Sequence, residues 1–166
     1  MRRVGVVIAS IVSVAVVVGF STPVQADRKN RNDDSPGRVC PVDVLNIGDG
    51  WGADRGSRSH KGIDLMDKRG EPIRAVEDGR INRTKKQSNG SLQIVLQGKS
   101  GSMFYYGHMD EVLVSGGQRV QAGDVIGTMG DTGSPGAVHL HFEFWRSGGE
   151  SDAIDPRPLI DRICNR

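Results

Sequence analysis

Short apolar runs, separated by glycine and polar residues, set the pattern of this chain beyond residue 26. The runs are short and rich in β-branched or aromatic side chains, which favours strands over helices. No amphipathic pattern long enough for a three-turn helix follows, although residues 110–115 fit a short turn or helical stretch. We therefore predict a mainly β domain, an antiparallel sheet or sandwich. The predicted strands comprise residues 63–65, 73–76, 80–82, 92–96, 103–106, 125–128 and 140–145.

The first 26 residues have the features of an export signal. Arg2 and Arg3 precede an apolar run over residues 4–20, and Val24 and Ala26 have the small-residue spacing of a signal-peptidase site. Cleavage after Ala26 predicts an exported protein, secreted or held in the periplasm or cell wall, with no stable membrane anchor. An uncleaved anchor is the alternative, because the apolar run approaches the roughly 20 residues that span a bilayer.

The charge balance changes once that segment is set aside. The chain carries 22 Lys and Arg residues against 20 Asp and Glu residues, a formal net charge of +2. Residues 1–26 contain two arginines and no acidic residue, so 20 basic and 20 acidic residues remain. Because no basic patch is interleaved with aromatic residues either, we do not expect nucleic acid as a partner.

The remaining sequence has the length of one domain. Residues 27–38 are polar and mixed in charge, which predicts a flexible lead-in, and residues 39–166 form the domain, which we expect to be a monomer. Cys40 and Cys164 lie near its opposite ends. In an exported protein, an even pair of this kind favours a disulfide.

All four histidines of the chain fall in short segments that contain other metal-compatible side chains. Side chains alternate between the two faces of a strand. If residues 139–145 form a strand, His139, His141 and Glu143 share one face, while Leu140 and Phe142 face the core. The same alternation places His60 and Asp64 on one face, provided that their segment is extended.

Zinc binds neutral imidazole nitrogens and carboxylate oxygens, and catalytic sites use three protein ligands with one open position. His60, Asp64 and one of the pair His139 and His141 satisfy that count. Each motif alone has an ordinary explanation, because a His-x-His strand is common and an i to i+4 ion pair on a helix gives the His-x-x-x-Asp spacing. Their combination favours a metal site.

Eight motifs occur in order between residues 51 and 156. They are WGA (51–53), SHKGIDL (59–65), PIRAVEDG (72–79), YGHM (106–109), GQRVQAGDVIG (117–127), GDTG (130–133), HLHFE (139–143) and IDP (154–156). From about Gly48 to Leu159 the chain thus resembles the lysostaphin-type peptidases, the M23 family of peptidoglycan endopeptidases. The differences are small: Met109 stands where leucine is usual, and Pro135-Gly-Ala-Val precedes the HLHFE motif. Neither removes a functional group.

The resemblance implies a role for each of five residues. His60, Asp64 and His141 would be the ligands of one Zn²⁺ ion, and His108 and His139 would be the catalytic pair. It implies hydrolysis of an amide bond by zinc-activated water, without indicating which histidine is the base.

Two further side chains near these motifs have open roles. Glu143 fits either a hydrogen bond to an imidazole or a solvent-exposed strand carboxylate. Tyr106 fits either a contact to substrate or a half-buried strand tyrosine. Residues 46–58, 85–90 and 131–138 are predicted to wall a groove that suits an extended peptide.

We therefore expect a secreted zinc metalloendopeptidase that cuts stem or cross-bridge peptides of peptidoglycan. A non-catalytic relative that binds the wall or activates another hydrolase is one alternative, and a peptidase of glycine-rich proteins is another. The scissile bond, Gly-Gly or D-Ala-diamino acid, stays open at this point.

Overall fold

The computed structural model describes residues 37–165, which form a β-rich domain. The predicted signal peptide, residues 1–26, and nearly all of the lead-in, residues 27–38, lie outside the described residues. No helix within residues 37–165 is long and apolar enough to cross a membrane. The strands are β1 (Ile63–Met66), β2 (Pro72–Arg74), β3 (Gly79–Lys86), β4 (Leu92–Gly98), β5 (Met103–Val112), β6 (Arg119–Val120), β7 (Val125–Met129), β8 (His139–Trp145) and β9 (Ala153–Ile154), followed by α1 (Arg157–Cys164).

The strands pair antiparallel in the order β1-β8-β5-β4-β3-β6. Strand β7 also pairs with β5 and carries β2 on its other side. The mainly β, antiparallel fold is therefore as predicted, and all seven predicted strands exist. The short turn or helical stretch considered for residues 110–115 is wrong, because residues 110–112 belong to β5 and residues 113–115 are not helical. Strand β5 continues to Val112, because Glu111 and Val112 pair with Thr128 and Gly127 of β7.

One face of the sheet is covered by the core. Helix α1 is only eight residues long and packs Leu159, Ile160 and Ile163 against this face. The predicted disulfide between Cys40 and Cys164 is present and joins the start of the domain to α1. The opposite face of the sheet is left open to form a groove. The buried core side chains include Ile63, Leu65, Ile73, Val76, Ile94, Leu96, Phe104, Tyr106, Ile126, Leu140 and Phe142.

Candidate metal centre and active site

Three side chains meet at the middle of the open face of the sheet. Asp64 of β1 and His141 of β8 are cross-strand partners, so their side chains lie side by side. His60 reaches the same point from the loop before β1. Nδ1 of His141 lies 3.0 Å from Oδ1 of Asp64 and 2.8 Å from Nε2 of His60, and the third separation, Nε2 of His60 to Oδ1 of Asp64, is 3.1 Å.

Hydrogen bonds on the far side of each imidazole select the nitrogen that faces the centre. Nδ1 of His60 donates to the carbonyl oxygen of Gly50 at 2.8 Å, because that oxygen can only accept. Nε2 of His141 donates to Oε1 of Glu143 at 2.9 Å. The lone pairs left for a ligand are therefore Nε2 of His60 and Nδ1 of His141.

This group of atoms fits a zinc ion. Two imidazole nitrogens and one carboxylate oxygen are a common donor set, and tetrahedral ligands at about 2.0 to 2.1 Å from zinc are about 3.3 Å apart. The observed separations, 2.8 to 3.1 Å, are within a few tenths of an ångström of that value. His60, Asp64 and His141 could therefore hold one metal ion with little rearrangement.

The electrostatics of the group favour a bound cation. Burial raises the pKa of Asp64, but hydrogen bonds with His141 and His60 outweigh it, so its pKa is held below the ordinary range. Burial lowers the pKa of His141, but its bonds to Asp64 and Glu143 prevail and raise it. A raised pKa favours the protonated imidazole, which cannot bind a metal through Nδ1, so metal affinity should fall as the pH falls.

Gly62 allows the segment before β1 to approach β8 closely. A Cβ atom at this position would lie 2.5 Å from the carbonyl oxygen of Phe142 and 2.8 Å from Cε1 of His141. The backbone oxygen cannot move without disturbing the β1–β8 ladder. The glycine of the His-Lys-Gly-Ile-Asp motif is thus needed for the close packing of the segment that carries His60 against His141.

A second histidine pair lies beside these three side chains. The rings of His108 and His139 are 4.6 Å apart between centroids. Nδ1 of His108 donates to the carbonyl oxygen of Thr132 at 2.7 Å, and Nδ1 of His139 donates to that of Ala137 at 2.7 Å. Both residues therefore present Nε2 as an acceptor, and Nε2 of His139 lies 3.6 Å from Oδ1 of Asp64. Burial lowers the pKa of His108, so its neutral form dominates at pH 7.

A β-bulge turns His108 toward the groove. Tyr106 pairs with Ile94 of β4. Three residues later Met109 pairs with Leu92, which is only two residues from Ile94, so β5 carries one extra residue. Within residues 37–165, His108 is the only residue other than glycine at positive φ, 63°. This strained conformation separates the His108 side chain from that of Tyr106, although regular alternation would place both on one face.

The second of the two roles considered for Tyr106, that of a strand tyrosine, is the one observed, and its neighbour Tyr105 takes a place in the groove. Tyr106 is fully buried, and its hydroxyl accepts a hydrogen bond from the amide of Val76 at 3.0 Å, so it belongs to the core and contacts no groove. Tyr105, which the sequence analysis missed, lines the groove with its ring edge-on to His141, 5.8 Å between centroids. Alternation from the buried Phe104 would have identified it.

Glu143 is a buried partner of His141 and not a solvent-exposed carboxylate. Its side chain accepts hydrogen bonds from Nε2 of His141 at 2.9 Å and from Nε1 of Trp145 at 2.6 Å. Two donors that converge on one carboxylate hold the His141 ring in a single orientation. The first of the two roles considered for Glu143 is therefore the one observed.

The five side chains open into one groove of about 370 Å³. The alternation predicted for β8 is observed, since His139, His141 and Glu143 line this groove and Leu140 and Phe142 face the core. All three predicted wall segments contribute side chains, among them Arg55, Gln87 and Ser134. An open trough of this kind, crossing several strands, suits an extended chain.

Three relatives are similar to this chain in sequence. Glycyl-glycine endopeptidase ALE-1 of Staphylococcus capitis is 35% identical over 105 residues, 61% of this chain and 29% of that protein. Peptidoglycan DD-endopeptidase ShyC of Vibrio cholerae is 35% identical over 92 residues, 55% of this chain and 21% of that protein. Murein hydrolase activator EnvC of Escherichia coli is 32% identical over 108 residues, 65% of this chain and 25% of that protein. The chain thus spans about a quarter of the length of these relatives.

Solved structures agree with this match, and so does the sequence profile of one family. The catalytic domain of lysostaphin from Staphylococcus simulans superposes with a TM-score of 0.64 at 32% identity, over 70% of this chain and 92% of that one. A zinc-containing peptidase from Vibrio cholerae gives a TM-score of 0.64 at 27% identity, over 72% of this chain and 39% of that one. Residues 58–156, more than half of the chain, match the profile of Peptidase family M23. The chain belongs to Peptidase family M23.

Proposed function

We propose that this chain is an exported zinc metalloendopeptidase that hydrolyses peptide bonds in peptidoglycan. One observation carries the proposal: the ligand group and the histidine pair open into the same groove, with the tautomer of every histidine set by a hydrogen bond. A protein that only binds wall peptides needs neither the metal ligands nor a pair of oriented bases. The matches to ALE-1 and ShyC support this substrate class.

Zinc bound by His60, Asp64 and His141 would supply a water of lowered pKa and polarise the scissile carbonyl. We assign the general base to His108. Its Nδ1 proton is committed to Thr132, and its lowered pKa keeps Nε2 free to take a proton from water at neutral pH.

The other residues then have complementary roles. Nε2 of His139 is 3.6 Å from Oδ1 of Asp64, close to the ligand group. When His139 carries a proton on both nitrogens, Nε2 can donate a hydrogen bond to the developing oxyanion. The proton taken by His108 is returned to the leaving amine. Glu143 keeps Nδ1 of His141 aimed at the centre by holding its other nitrogen.

Digestion of purified sacculi tests the activity. The protein without residues 1–26 should solubilise sacculi, and a chelator or His141→Ala should abolish the release of fragments. Lys99→Gln, an exposed substitution outside the groove, is the matched control and should leave release unchanged. Activity that survives both the chelator and His141→Ala would contradict the proposal.

The two other functions considered from the sequence are outcomes of the same experiment. Zinc binding without release of fragments, combined with stimulation of a second wall hydrolase, would identify an activator, as the match to EnvC suggests. Digestion of elastin or casein but not of sacculi would identify a peptidase of glycine-rich proteins.

Export is tested separately. If residues 1–26 are a cleaved signal, expression of the whole chain in a bacterium should give a protein outside the cytoplasm that begins at Asp27. A protein that stays in the membrane fraction at its full mass would identify the uncleaved anchor instead.

A further inference from the structure

The acidic side chains that line the groove are all engaged with partners. Asp64 contacts the histidines and also forms an ion pair with Arg55, at 2.6 Å between Nη2 and Oδ2. Glu143 holds His141 and Trp145, as described above. Glu150, at the rim, forms an exposed ion pair of 3.3 Å with Lys61. Asp64 and Glu143 are therefore not free to bind a cationic group of a ligand, and Glu150 already has Lys61 beside it.

Two cationic side chains of β3, by contrast, line the groove without an acidic partner among the described residues. Arg83 and Lys85 are two residues apart, exposed, and both line the groove. Within residues 37–165, neither has a carboxylate within ion-pair distance. We name this pair the cationic wall.

The position of the cationic wall is fixed relative to the active site. Arg83 pairs with Val95, which pairs with Tyr105, which pairs with Glu143. Three spacings between strands place its backbone about 14 Å from that of β8. Its guanidinium lies 6.0 Å from the centroid of the Trp145 ring, so it extends back over the floor of the groove.

A cationic wall at this distance can only recognise a group away from the scissile bond. An extended peptide advances about 3.3 Å per residue, so its next few residues pass along this wall. Guanidinium and ammonium groups bind carboxylates through charge-assisted hydrogen bonds. A glycine bridge carries no side chain and no charge, whereas a stem peptide with a diamino acid carries free carboxylates.

We propose that Arg83 and Lys85 bind a free carboxylate of the substrate, so that the groove selects acidic stem peptides over neutral glycine bridges. This proposal rests on the proposed function and adds the class of substrate: the cut is in or beside a stem peptide that carries a free carboxylate. The specificity then comes from β3, three strands away from β8, which carries His141.

Three synthetic peptides test the selection. One is a cross-linked stem dimer with free carboxylates, and the second is the same dimer with those carboxylates amidated. The third is pentaglycine blocked at both ends, which has no charge and should be cleaved more slowly than the acidic dimer. The acidic dimer should be cleaved with a kcat/KM about tenfold higher than the amidated dimer, as two exposed charge pairs allow. The ratio should decrease at 0.5 M salt, where charges are screened. Equal kcat/KM values for the two dimers would overturn the proposal.

The double substitution Arg83→Gln with Lys85→Gln tests whether the cationic wall causes the preference for the acidic dimer. It should bring the ratio of acidic to amidated dimer close to one. Lys86→Gln is the matched control, because Lys86 follows on the same strand, is equally exposed and does not line the groove. It should keep the tenfold ratio. A preference that survives the double substitution, with unchanged thermal unfolding, would contradict the assignment to these two residues.

Binding is measured beside cleavage so that the two proposals can fail separately. Fluorescence anisotropy of the labelled dimers should show weaker binding of the amidated form, whether or not turnover occurs. Preferential binding of the acidic dimer without cleavage of any peptide would contradict the endopeptidase activity and support the cationic wall. Cleavage of both dimers with equal binding would do the reverse.

Discussion

Tyr105 and Tyr106 are neighbours in β5, yet they lie on opposite faces of the sheet and show how differently the two faces use polar atoms. On the core face, the Tyr106 hydroxyl satisfies one backbone amide, that of Val76, and does nothing else. On the groove face, Tyr105 contacts His141 with its ring edge and leaves its hydroxyl near Gln87, at 3.4 Å. On the core face, the polar group of the tyrosine satisfies a buried backbone amide. On the groove face, the tyrosine packs against a histidine of the candidate metal site.

The difference predicts which substitutions change activity and which change stability. Substitutions on the groove face should remove metal or turnover and leave the fold intact. Substitutions on the core face should lower the free energy of unfolding and leave the site intact. Four tests of this division follow, in order of decreasing expected effect.

The largest effect is expected from the ligands on the groove face. His60→Ala or His141→Ala removes one of three protein donors, so bound zinc should fall from one equivalent per chain to near zero and turnover to background. Metal analysis of the purified variants measures the number of zinc ions bound per chain. Full zinc occupancy in either variant would remove that histidine from the ligand set.

The next effect separates catalysis from metal binding on the same face. His108→Ala should lower kcat by about 10² to 10⁴, the usual contribution of a general base, and keep one zinc per chain. The same result is expected for His139→Ala if it stabilises the oxyanion. Loss of zinc in these variants would show that His108 or His139 is also a ligand, and it would contradict their assignment as catalytic residues.

A smaller effect is expected on the core face. Tyr106→Phe leaves the buried amide of Val76 without a partner, which costs about 1 to 3 kcal/mol of unfolding free energy. Turnover at a temperature where the protein is folded should not change. Tyr105→Phe is the control on the other face and should barely alter denaturant unfolding, since the hydrogen bond from Gln87 to its hydroxyl is long, 3.4 Å. If Tyr106→Phe lowers kcat at full folding, the two faces are coupled.

The smallest effect concerns the strain at the bulge. His108 lies at a φ of 63°, a backbone conformation that glycine adopts without strain and alanine does not. His108→Gly should therefore be more stable than His108→Ala by about 1 kcal/mol, although both are inactive. Urea unfolding of the two variants measures the difference. Equal stability would show that the bulge costs nothing at this position.

Much of the groove face could be read from the sequence, because alternation within β8 decides it. His139, His141 and Glu143 share a face, and Leu140 and Phe142 face the core, as the sequence predicts. Alternation applies there because β8 pairs with β1 and β5 without an irregularity.

Strand β5 shows why the rest could not be predicted. One extra residue between Tyr106 and Met109 breaks the alternation, so the sequence could not separate the core tyrosine from the groove histidine. The same strand extends to Val112 because it pairs with β7. These partners are distant in sequence, so the local sequence pattern could not predict the extension. His60 likewise lies outside β1 and reaches the site through a bend at Gly62.

The disulfide between Cys40 and Cys164 has a practical meaning beyond stability. It holds two backbones 124 residues apart in sequence at a Cα to Cα distance of 4.8 Å. The chain therefore enters and leaves the domain at nearly the same point, and neither cysteine lines the groove. Such a domain can be inserted into a surface loop of another protein, or tethered to a solid support through either end, with its groove left accessible to a ligand.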